Sequence, residues 1–227
     1  MPVTLDELIQ DAQALRSVTE KYKSEFSERG YGEARLAGYN EVLAEVLGRD
    51  AGQRSAQETL RQRTAEQNAA IQKAYAMISM LQNAAKAAYG RDKTILKEFK
   101  VGTDKPRGVK ELITMLEYLT SVAQRHVTKL LLNGMAQEDI QELSSTYARL
   151  VAADAAQENG KKLRNAATEM RDEAAKELQE EVFKARKFAQ VRFAGDRAKL
   201  EEFKPIARTG RRRKKASEQP ATQAAAG

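Results

Sequence analysis

Apolar residues recur at helical spacing along the first thirty positions. Leu5, Leu8, Ala12, Leu15, Tyr22 and Phe26 fall on one stripe of the 3.6-residue period, with polar and charged residues between them. The stripe returns as Val109, Leu112, Leu116, Leu119, His126 and Leu130. Each predicts an amphipathic helix ending near a glycine, Gly30 in "ERGYGEA" and Gly134 in "LNGMAQEDI", where a left-handed residue closes the last turn. A shorter helix follows, carrying Leu36, Tyr39, Leu43 and Val46, or Ile140, Leu143, Tyr147 and Leu150. "GRDAGQRS" predicts the end of that helix in the first half of the chain. "AADAAQENGKK" is a weaker break, which lets the second-half helix run on.

Long helices are then expected from about Gln53 to Tyr89 and from about Gly160 to Phe193, closed by Gly90 and Gly195. Asp92 and Asp196 suit the N-cap of a short terminal helix. Leu96 and Phe99, or Leu200 and Phe203, are spaced to fold that helix back onto the bundle.

These parallels obey one register. With residue n laid over residue n+104, Gly30 falls on Gly134, Asp50 on Asp154, Asp92 on Asp196 and Phe99 on Phe203, without a gap. "YGRDKTILKEFK" (89–100) thereby lies on "FAGDRAKLEEFK" (193–204). Coincident glycines, acids and apolar positions predict an internal duplication. The fold expected is all-α: an elongated antiparallel helical bundle of two tandem repeats of about 104 residues, with a disordered basic C-terminal tail. Repeat 1 would be residues 1–104. Repeat 2 would be residues 105–207, packed with repeat 1 as one body, and the tail 208–227.

Composition agrees with helix and narrows the chemistry. The 227 residues are 41% hydrophobic and 31% charged, with 4 Pro, no Trp and aromatics at 6%, which is thin for a β-sandwich or barrel. The absence of Cys excludes disulfides, thiolate catalysis and Cys-ligated metal sites, and fits a reducing compartment. No stretch reaches the ~20 apolar residues of a membrane span, and "MPVTLDELIQDAQAL" lacks the basic-then-apolar pattern of a leader. A cytoplasmic protein is expected.

No residue is selected as catalytic, and no metal or cofactor is expected. His126, the one histidine, aligns with Tyr22 on an apolar stripe and reads as a packed ring. A ferritin-like di-metal site needs two Glu-x-x-His pairs. Neither a P-loop nor a GxGxxG run is present. Pairs such as Glu180–Glu181 and Glu201–Glu202 read as solvated helix faces. "LLLNGMAQEDIQEL" has the outline of a helix-turn-helix, but Glu138, Asp139 and Glu142 would repel phosphate. The connector "KVGTDKPRGVKE" reads as solvated.

Charge is the informative property. Residues 204–227 hold Lys204, Arg208, Arg211, Arg212, Arg213, Lys214 and Lys215 against Glu218, a net of +6 out of +7 for the chain. The remaining +1 belongs to residues 1–203. Those seven cations are the candidate binding residues. They predict contact with a polyanion, nucleic acid first, and without aromatics between them to stack bases they predict no sequence specificity. The expected function is a non-catalytic binding or architectural protein. The alternative is a scaffold that binds other proteins or itself through helical faces, the tail being incidental.

Overall fold

The computed structural model describes residues 4–28 and 30–206. Among them every regular element is helical: α1 (Leu5–Lys21), α2 (Lys23–Ser27), α3 (Glu33–Tyr89), α4 (Lys93–Glu98), α5 (Val109–Arg125), α6 (Val127–Leu131), α7 (Gln137–Arg192) and α8 (Arg197–Glu202). Adding 104 to the bounds of α1, α2 and α4 gives those of α5, α6 and α8. The segment expected as a tail, 208–227, lies outside the described residues.

Local chemistry accounts for the ends. Thr4 and Glu7 form a reciprocal capping box at the start of α1. Asp92 accepts from Thr94 N and Ile95 N at α4, and Asp196 from Lys199 N at α8, as their spacing predicts. Gly30 and Gly134 have φ of +86° and +101°. There Tyr31 N bonds Phe26 O at 3.1 Å and Met135 N bonds Leu130 O at 3.2 Å, the same closure twice. Tyr22 and His126 each interrupt the helix for one residue, between α1 and α2 and between α5 and α6.

Two features differ from the sequence reading. α3 has no break at "GRDAGQRS": Gly48 and Gly52 are helical, and α3 is continuous for 57 residues, about 85 Å. Two isolated glycines cost only about 1 kcal/mol each in a helix. The ion pairs Glu45–Arg49 (3.1 Å) and Asp50–Arg54 (2.8 Å) bracket them in the favourable acid-then-base order. α7 runs through "AADAAQENGKK" for 56 residues, the continuity that this weaker break allows. The connector is largely exposed, as read, but it is tied down at its middle: Tyr75 Oη donates to Pro106 O at 2.7 Å, while Lys105 Nζ donates to Tyr75 O at 3.1 Å and to Ser79 Oγ.

The chain forms two compact units. One spans Met1–Leu43 and Leu178–Gly227, with residues 4–28, 30–43 and 178–206 described; the other spans Ala44–Glu177. In the first, α1, α2 and the start of α3 enclose Ala12, Leu15, Phe26 and Tyr39 together with Leu178, Ala185, Ala189 and Phe203 from the end of α7 and from α8. Phe26 lies 5.7 Å from Phe193 and 5.6 Å from Phe203, ring centre to ring centre, so its aromatic core joins residues far apart in sequence. In the second unit, Ile78, Leu81 and Phe99 pack with Leu112, Leu116, Leu119, Leu130 and Leu143. Here α3 packs on α7, and Gln67–Asp154 (2.8 Å), Arg63–Ala156 O (3.0 Å) and Arg49–Met170 (3.4 Å) show the two running antiparallel.

Candidate functional site

Of the seven predicted cations, Lys204 is described; Arg208, Arg211, Arg212, Arg213, Lys214 and Lys215 lie outside the described residues. The chain that leads to them is held from three sides. Asp196 caps α8 and Phe203 ends it, 4% exposed among Tyr22, Phe26 and Phe193. Arg186 Nε donates to Phe203 O at 2.9 Å. Its Nη2 meets Asp11 Oδ1 at 2.6 Å, and that oxygen also accepts Ile206 N at 3.2 Å. Lys204 itself points outward and pairs with Glu201 at 2.5 Å.

The cations nearest in the fold are matched by acids. Lys21 pairs with Glu202 at 2.7 Å, Lys199 with Glu25 at 2.8 Å, Arg192 with Glu28 at 3.1 Å and Lys23 with Glu33 at 2.9 Å. Hydrogen bonds from Lys21 and Tyr22 hold the Glu202 carboxyl below its usual range, and Glu202 holds the Lys21 ammonium above its own. The Lys199 ammonium is raised first by its bond to Glu25. Burial pushes the Tyr39 phenol up, while its hydroxyl donates to Ala12 O at 2.8 Å. These four cations are thereby engaged with acids among the described residues.

His126 is half-buried as its stripe position predicts, and it is also a joint. Its Nδ1 lies 2.7 Å from Tyr89 Oη, and its Nε2 lies 3.4 Å from Glu98 Oε2, linking the α5–α6 junction to α3 and α4. In the second unit a groove of ≈ 330 Å³ is lined by Glu66, Ala69, Ala70, Lys73, Thr146, Arg149 and Ala153. The Thr146 hydroxyl in it is buried without a hydrogen-bond partner, and Lys73 is paired with Glu142 at 2.7 Å. Among the described residues no group of three or more His, Asp or Glu is placed to hold a metal ion, and no helix is long and apolar enough to cross a membrane.

Sequence reasoning missed the acids that face α7 and α8: Asp11 on α1, Glu25 on α2 and Glu28 at the C-terminal end of α2 have nothing local to mark them. Compared with known proteins, the chain matches no family model, no curated protein and no solved structure.

Proposed function

We propose that this chain is a non-catalytic helical binding or architectural protein, built of two tandem repeats of about 104 residues, whose basic C-terminal segment contacts a polyanion, nucleic acid first, without sequence specificity. The observation that carries the reading is the location of charge. Residues 204–227 hold +6 of the chain's +7, whereas Lys21, Arg192 and Lys199 near their point of departure are engaged with acids. Repetition supports the first half of the reading, since the bounds of α1, α2 and α4 recur at a constant shift of 104 in α5, α6 and α8. Lysine and arginine in sequence neutralise phosphates as point charges and read no bases, so affinity falls with salt.

Fluorescence anisotropy with duplex DNA tests this on the intact chain and on a chain ending at residue 206. The intact protein should show a slope of log K against log salt of roughly −3 to −5, at ~0.9 per phosphate neutralised. The shortened protein should lose the binding, and reordering Arg211–Lys215 should change little. Equal binding by both chains would overturn the proposal. A second reading, a scaffold that docks proteins through its helices, draws on Phe183 and Val191. They are 61% and 79% exposed and eight residues apart on α7. Retained partner binding after removal of residues 207–227, lost in a Phe183→Ser/Val191→Ser variant, would favour it.

A further inference from the structure

Neither unit is made by one half of the chain. In the first, α1 and α2 are closed by the end of α7 and by α8; in the second, α5 and α6 are closed by the end of α3 and by α4. Some closing contacts are common to both. Lys21 and Tyr22 meet Glu202, and at the corresponding positions Arg125 and His126 meet Glu98.

Three ion pairs are not common. Asp11–Arg186 (2.6 Å), Glu25–Lys199 (2.8 Å) and Glu28–Arg192 (3.1 Å) belong to the first unit alone. Their counterparts 104 residues away are Met115 with Gln82, Lys129 with Ile95, and Leu132 with Ala88. A first half closed by another first half would therefore place Asp11 against neutral Gln82 and Glu25 against apolar Ile95, and leave both carboxylates without a cation. A second half closed by another second half would place Met115 against Arg186 and Lys129 against Lys199. An unpaired half-buried charge or a facing pair of like charges opposes both combinations.

We propose that residues 1–104 and 105–206 recognise each other as distinct partners, with these three pairs enforcing first-with-second, and that the same surfaces join one copy of this chain to another by reciprocal exchange of halves. In such a pair each unit keeps its helix-to-helix contacts and Phe99 stays in the core, while the connector beyond it gives up the bonds of Lys105 and Pro106 to Tyr75 and Ser79 and takes a new path.

The test starts from the full-length protein carrying a protease site between Gly102 and Thr103, cleaved after folding and followed by native mass spectrometry and circular dichroism. The expected product is a one-to-one complex of first and second half with unchanged helicity. Mixed with an isotope-labelled cleaved copy, it should form labelled–unlabelled pairs of first with second half and none of like with like. Lys199→Glu should weaken the complex about tenfold, and Glu25→Lys added to it should restore the affinity. Intact protein refolded at high concentration should yield a dimer of the same helicity. Halves that separate, like-with-like pairs in equal amount, no rescue by the double variant, or only monomer after concentrated refolding would each overturn the proposal.

Discussion

Gly48, Gly52 and Gly160 all lie inside the long helices, but in different surroundings. A Cβ on Gly48 or Gly52 would meet nothing within 4 Å; on Gly160 it would come within 3.2 Å of Arg63 Cδ and 3.3 Å of Leu60 Cδ1. Alanine at the first two removes the entropic cost of glycine without crowding. Gly48→Ala and Gly52→Ala should each stabilise by about 0.5–1 kcal/mol, read from urea midpoints. Gly160→Leu should destabilise by about 1–3 kcal/mol, because the α3 backbone lies directly behind the side chains it would displace. Phe99 and Phe203, 0% and 4% exposed, are the anchors their spacing predicts. Phe99→Ala and Phe203→Ala should each cost about 3–5 kcal/mol in the same measurement. These residues were legible in the sequence because cap, spacing and apolarity all act within a few positions. Asp11 was not: its partner, Arg186, is 175 residues away, and no local pattern distinguishes it from a solvated acid.

At the scale of the element, α3 shows what sequence reading overweights. Glycine was read as a breaker at "GRDAGQRS", yet acid–base pairs along the helix and packing on α7 outweigh two modest propensity costs. The decisive variant is Ser55→Pro. In a connecting loop it would be tolerated; inside α3 it should cost about 3 kcal/mol or more and lower the helical circular dichroism. The short α8 makes a different prediction, through pH. The Glu202 carboxyl lies below its ordinary value because Lys21 and Tyr22 hydrogen-bond its charged form. The unfolded chain therefore binds more protons there than the folded one. The stabilisation is present above about pH 4.5 and is lost as pH falls through the folded value. Thermal melts should show Glu202→Gln less stable than the parent at pH 7, with the gap closing below pH 4.5.

For the whole molecule, the apolar periodicity made the all-helical class and the closing short helices α4 and α8 legible, but not the division into α1 and α2, the continuity of α3 or the way the segments assemble. Periodicity reports which face of a helix is apolar; it does not report which other helix covers that face. The basic run was equally plain in the sequence, since charge needs no fold to be counted, and the acids that neutralise its neighbours were invisible for the reason that hid Asp11. The assembly matters for synthesis. The unit Ala44–Glu177 is one uninterrupted stretch, whereas the unit around it needs both Met1–Leu43 and residues from Leu178 onward. On a ribosome adding 5–20 residues per second, Ile9, Leu15 and Phe26 must wait roughly 9 to 39 s for α7 to end and α8 to appear. Nascent chains arrested after residue 177 should already protect α5 and α6 from protease while α1 and α2 are still cut. α1 and α2 are then made before the unit Ala44–Glu177 but fold after it, and for those seconds their apolar stripe is open to a chaperone.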